Sequence, residues 1–166
     1  AFTLRDSIFV NTFADALDSD FSVSTISNSS FKFVGNDSID YSGSLSNIND
    51  IFIYSSKDKG ISVGEKSKVE IQNIIIEDSS IGITSKDDSV VQVRDYHNNN
   101  LNYIAASYVK KNNFGPAEIN FYNYDKPINN EIIVDKNSII KFNYDSSIKN
   151  KVIYSNINSE IIKYIK

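Results

Sequence analysis

The 166-residue chain has no cysteine, no methionine and no tryptophan, only two prolines, six glycines and a single histidine. Each shortage closes off a class of chemistry. Without cysteine there are no disulfides, no thiolate metal sites and no thiol nucleophile, although the compartment stays open. One histidine, His97, cannot build a His-rich zinc centre. As a general base it would need an orienting partner that the sequence does not supply. No apolar run approaches the roughly 20 residues of a membrane-spanning helix. Positive charge is scarce in the first 100 residues, where 8 Lys or Arg face 15 Asp or Glu and leave a charge of −7. That imbalance argues against a phosphate-binding footprint, so no nucleic-acid partner is expected. The chain starts at Ala1 and contains no Met, which reads as a mature or excised piece of a longer protein with no signal peptide left to inspect.

What is present is a repeat. In "DKGISVGEKSKVEIQNIIIEDSSIGITSKDDS" the phrase GISVGEKSKVEIQN is followed by a worn copy, GITSKDDSVVQVRD. Repeats come before every other reading, because missing one miscasts the fold. One aliphatic column runs Leu17, Ile39, Ile61, Ile83 in steps of 22 and reaches Ile104 after 21. A second runs Leu4, Ile26, Ile48, Ile71, Val93, and a third Phe9, Phe31, Ile53, Ile76. Their steps are 22 or 23, and one extra residue between Gly64 and Ser67 accounts for the longer ones. Two residues after each member of the Leu4 column stands Asp6, Asn28, Asp50, Asn73 or Asp95, with Asn123 continuing the series. Asn and Asp tolerate left-handed backbone, so a corner recurring in every coil suits them there.

The segments between corners are short, rich in Ile, Val, Ser and Thr, and alternate with period two, which excludes helical repeats. The pattern predicts an all-β fold, a right-handed parallel β-helix of about 22 residues per coil with three short strands per coil. Stacked coils bury what a single coil cannot. A single domain over 1–166 is expected. Regular coils fill 1–107, an inserted loop lies at about 108–117 near Gly115 and Pro116, and less regular coils fill 118–166, with "SEIIKYIK" as a last strand or weak cap. The bare first strand suggests an end covered by another domain or subunit.

Alternation places Leu17, Ile39, Ile61 and Ile83 inward, and therefore Asp18, Asp40, Ser62 and Thr84 outward. Asp20, Ser42, Gly64 and Lys86 follow on the same outer face, flanked by Lys59, Glu65 and Asp87. Stacked carboxylates at strand spacing suit Ca²⁺, with Asp18, Asp20 and Asp40 as its ligands. No other cofactor is expected. They also suit an acid/base pair acting on sugars. The enzyme reading is a polysaccharide lyase or glycoside hydrolase using Asp18, Asp40 and Asp87, with Lys86 stabilising charge. Asp, Ser and Lys are also what a solvated solenoid face contains. Tyr108, Lys110 and Lys111, assigned to the inserted loop, add an aromatic and basic contact surface.

The phrases "NDSIDYSGS", "DKGISVGEKS", "IGITSKDDS" and "AASYVKK" resemble the β-helix repeats of bacterial surface and secreted proteins. They are similar to those appended to spore-coat CotH-like proteins and, more broadly, to the pectin-lyase-like superfamily. The resemblance covers residues 1 to about 125. It implies a right-handed parallel β-helix and a secreted or cell-surface setting, and it assigns no catalytic residue. The Gly-His-Gly set of polygalacturonase-like enzymes and the Asp-Pro-His-Glu of alginate epimerases are missing. Together these readings favour a noncatalytic scaffold that binds polysaccharide, or another domain of its own protein, through its outer face.

Overall fold

A computed structural model describes residues 1–124, 132–135 and 137–143 in full, and residues 151–154 as backbone. Among these residues every regular element is a strand. They are β1 (Phe2–Arg5), β2 (Ile8–Val10), β3 (Leu17–Asp20), β4 (Val23–Val34), β5 (Ile39–Ser42), β6 (Leu45–Ser56), β7 (Lys59–Gly64) and β8 (Lys68–Glu77). There follow β9 (Ile81–Lys86), β10 (Val90–Asn99), β11 (Tyr103–Tyr108), β12 (Glu118–Tyr122), β13 (Ile132–Val134), β14 (Ile139–Asn143) and β15 (Lys151–Tyr154). Strands β3, β5, β7, β9, β11 and β13 form one parallel sheet in that order. The other sheet runs β1, β4, β6, β8, β10, β12, β14 and β15, with β2 also on β4, and its last pair, β14 with β15, is antiparallel. Each coil therefore lies on the one before it, as a solenoid requires.

The predicted columns are the observed register. Leu4 pairs with Ile26, Ile26 with Ile48, Ile48 with Ile71 and Ile71 with Val93. Phe9 pairs with Phe31, Phe31 with Ile53 and Ile53 with Ile76. Stacking like on like lets rings pile face to face: Phe9 and Phe31 have centroids 4.9 Å apart and nearly parallel planes, as do Phe121 and Phe142. Ile26, Phe31, Ile39, Ile53, Ile61, Ile76 and Ile83 are fully buried in one continuous core. Each buried side chain of this size contributes roughly 1.5–3 kcal/mol.

Three left-handed corners shape each of the first four coils. The Asx column Asp6, Asn28, Asp50, Asn73, Asp95 and Asn123 has φ between 45° and 58°. A second column, Asn11, Phe33, Ser55, Asp78 and Asn100, has φ of 51–63°. A third comprises Phe21, Gly43 and the pairs Glu65–Lys66 and Asp87–Asp88. The doubled third corner holds the extra residue read from the sequence. Serines tie successive coils together: the Ser22 N–H donates to Ser44 Oγ, Ser44 N–H to Ser67 Oγ, and Ser67 N–H to Ser89 Oγ.

Two details differ from expectation. Ala105, not Ile104, pairs with Ile83, so the first column keeps its step of 22. The sequence favoured Ile104 because it is the apolar neighbour, whereas the coil accepts a small residue there. Strand β11 also runs through Tyr108, whose ring is buried, so the connection begins at Val109. Of the stretch expected as less regular coils, 125–131, 136, 144–150 and 155–166, with "SEIIKYIK", lie outside the described residues.

Candidate functional site

The outer face of the six-stranded sheet gathers most of the residues singled out from sequence. Asp18 lies opposite Asp40, Asp40 opposite Ser62, Ser62 opposite Thr84 and Thr84 opposite Ala106. A second outward column pairs Asp20 with Ser42 and Ser42 with Gly64, while Lys86 pairs with Tyr108. This face has a closed half and an open half.

In the closed half Lys59, Ser62, Thr84, Lys86, Asp87 and Tyr108 are all buried. Lys86 reaches back over Gly64, where a Cβ would sit 3.4 Å from its Cε. Its ammonium donates to Ser62 Oγ at 2.7 Å and stands 3.9 Å from Asp40 Oδ1. Burial lowers the Lys86 pKa and the Asp40 carboxylate opposes that shift. Lys59 contacts Asp37 at 3.5 Å and also Asp58. Burial drives the Asp37 carboxyl up to about 6 against the pull of Lys59, with Asp58 and Asp40 adding repulsion. Burial also raises the Tyr108 phenol. Among the described residues Asp40 Oδ1, Thr84 Oγ1 and Tyr108 Oη have no hydrogen-bond partner. Orphaned polar atoms of this kind are positions for a bound water or a ligand hydroxyl.

Asp87 serves the fold. Its Oδ1 accepts the backbone N–H groups of Lys110 and Lys111 at 2.7 and 2.8 Å and pins the connection after β11 to the third corner. Hydrogen bonds to a charged group contribute about 1.5–3 kcal/mol each. Asp87→Ala should therefore destabilise the protein by about 2–4 kcal/mol and open 109–117 to proteases, while Asp87→Asn keeps an acceptor and should lose much less. Limited proteolysis with urea unfolding checks both.

The open half carries Asp18, Asp20, Asp40 and Ser42, with the exposed Lys111 paired to Glu65 nearby and Lys110 exposed beside it. Partial burial, then repulsion from Asp20, Asp40 and Asp15, raises the Asp18 pKa. Among the described residues no three His, Cys, Asp or Glu side chains converge to hold a metal ion. Phe21 closes this half. It occupies the third corner at φ 47°, is 81% exposed, and lays its ring across Gly43, where a Cβ would come within 2.7 Å of Phe21 Cδ1. A bulky residue at positive φ is an outlier held at a cost. The sequence reading passed over Phe21, although its 22-residue offset from Gly43 marked a corner filled by the wrong kind of residue.

Searches against protein-family models, curated proteins and solved structures give no match to this chain. What stands is the fold, a parallel β-solenoid. The likeness to CotH-like and pectin-lyase-like repeats rests on the quoted phrases alone.

Proposed function

We propose that the chain is a noncatalytic β-helix module of a secreted or cell-envelope protein, a rigid scaffold that binds polysaccharide on the open half of its six-stranded sheet. The observation that carries this reading is Phe21, an exposed aromatic ring kept at a strained corner at the end of the strand bearing Asp18 and Asp20. Aromatic rings accept the C–H faces of sugars, carboxylates accept their hydroxyl protons, and Lys110 and Lys111 extend the contact surface. Asp87 is spent on backbone amides and Lys86 is withdrawn from solvent, so of the residues expected to act together only Asp18 and Asp40 stay accessible, which weighs against turnover.

Phe21→Gly tests this directly. Left-handed backbone costs an L-residue about 1–2 kcal/mol and glycine gives back part of that in chain entropy, so the variant should be more stable by about 0.5–1 kcal/mol. It should bind glycans at least tenfold more weakly in array and calorimetric measurements. Lys110→Ala with Lys111→Ala should weaken binding as well. Unchanged binding in both variants would remove this surface from consideration.

A second reading, a polysaccharide lyase or glycoside hydrolase, is favoured by the Asp40–Lys86 pair, whose lysine is shifted toward its neutral form. Asp40→Asn separates the two: an enzyme would lose turnover on a polysaccharide panel, whereas a binder would keep its affinity.

A further inference from the structure

Each long strand of the larger sheet is bent by its Asx corner into two limbs, and the outer face of the second limb, after that corner, carries an apolar strip. On the first limb the middle outward column, Thr25, Asn47, Glu70 and Gln92, is polar, while Val23 and Leu45 stand exposed at its start. On the second limb the corresponding column reads Ile8, Ser30, Phe52, Ile75, His97. Ile8 is 71% exposed and Ile75 37%. Beside this column, in the next outward positions, stand Val10, Lys32 and Tyr54, with the Lys32 ammonium 5.7 Å from the Phe52 ring centroid. A clustered apolar strip on a solvent face marks an interaction site, where scattered single residues would not.

Between this strip and the Asx corner lies a groove of about 480 Å³ running across four coils, with Asp6, Asn28, Asp50 and Asn73 on one wall and Ile8, Phe52 and Ile75 on the other. The Asx wall has a definite polarity. Asn28 donates its amide to Asp6 and Asn73 donates to Asp50, each at 2.5 Å. One proton of each amide is directed along the column and Asn49 donates to the second Asp50 oxygen, so the wall presents carboxylate and amide oxygens that can accept hydroxyl protons, beside the remaining amide N–H groups.

We propose that this groove is a binding site for a linear, uncharged oligosaccharide lying along the solenoid axis. The ligand must offer hydroxyl protons to one wall and C–H faces to the other, which is what a sugar ring does. Asp6 and Asp50 repel an acidic chain. Rungs about 4.8 Å apart approximate the advance of one sugar in an extended chain, so successive sugars meet equivalent rungs. An extended peptide, at about 3.3 Å per residue, falls out of step. The site is distinct from the Phe21 surface and stands whether or not that surface binds.

The test is calorimetric titration of the full chain with gluco-, xylo- and manno-oligosaccharides of two to six sugars. Affinity should rise with length to about four sugars, one per rung of the groove, and then level off. Phe52→Ser with Ile75→Ser should weaken it at least tenfold while the melting temperature holds, because both side chains face outward. Phe21→Gly should leave this binding unchanged, and any glycan whose binding Phe21→Gly does weaken should be indifferent to Phe52→Ser with Ile75→Ser. Silence of the whole neutral panel would overturn the proposal, as would binding indifferent to the double variant. Salt-sensitive binding of a lysine-rich peptide in place of the sugars would also overturn it.

Discussion

Truncating Ile76 to alanine is expected to destabilise the protein by about 2–5 kcal/mol, while the same truncation of its neighbour Ile75 changes stability by no more than about 0.5 kcal/mol. The two are adjacent isoleucines of β8 and differ only in the face they occupy. Ile76 is fully buried and stacks beneath Ile53 in the core column, whereas Ile75 is 37% exposed and stacks beneath Phe52 on the outer face. Removing the first leaves a cavity in a column that cannot collapse, because the rungs above and below fix its height. Removing the second leaves a shallower surface. Urea unfolding of both variants measures the difference. Equal losses would mean that β8 does not alternate in and out as its register requires.

The second large effect is a pH profile. Asp37 carries a pKa of about 6 in the folded chain against 3.8 for an unburied aspartate. Between about pH 4 and 6 the folded state therefore holds a proton that the unfolded state has released. Stability from this residue is complete below pH 4 and declines as pH rises through 6. A shift of about two units corresponds to about 3 kcal/mol. Asp37→Asn cannot ionise, yet keeps an oxygen for the Lys59 N–H, which Asp37 Oδ1 accepts at 2.9 Å. The wild-type protein should thus lose about 2–3 kcal/mol relative to the variant between pH 4 and 7. Parallel unfolding profiles for the two proteins would show that Lys59 fully compensates the buried carboxylate.

The repeat was legible because its physics is local and periodic. A position that must be apolar in one coil must be apolar in the next, so Leu4, Ile26, Ile48, Ile71 and Val93 announce one another. The Asx corner was legible for the same reason, since left-handed backbone selects Asn and Asp. The second corner carried a comparable signal in Asn11, Asp78 and Asn100, but Phe33 and Ser55 interrupt it and the column was missed. Ala105 escaped because a small inward residue carries no apolar signature beside Ile104.

The site was legible only in part. Alternation placed Asp18, Asp40, Ser62 and Thr84 on one face. It could not separate the face into a closed half and an open one, because burial there depends on which side chains fold over their neighbours. Lys86 lies across Gly64 toward Asp40, and Asp87 turns to the backbone of Lys110 and Lys111. Neither orientation is written in residue spacing. The apolar strip of Ile8, Phe52 and Ile75 was visible as sequence, but its exposure required the register.

The most direct check of the stacked-coil account uses the chain's lack of cysteine. Thr25 and Asn47, 22 residues apart, are paired neighbours on adjacent strands, and both are exposed. Thr25→Cys with Asn47→Cys should close a disulfide under mild oxidation, because paired strands bring Cα atoms within the 4.4–6.8 Å that a disulfide spans. Thr25→Cys with Asn49→Cys, two residues out of register on the same face, should stay reduced. If the second pair oxidises as readily as the first, or the first fails to close, the 22-residue stacking is wrong.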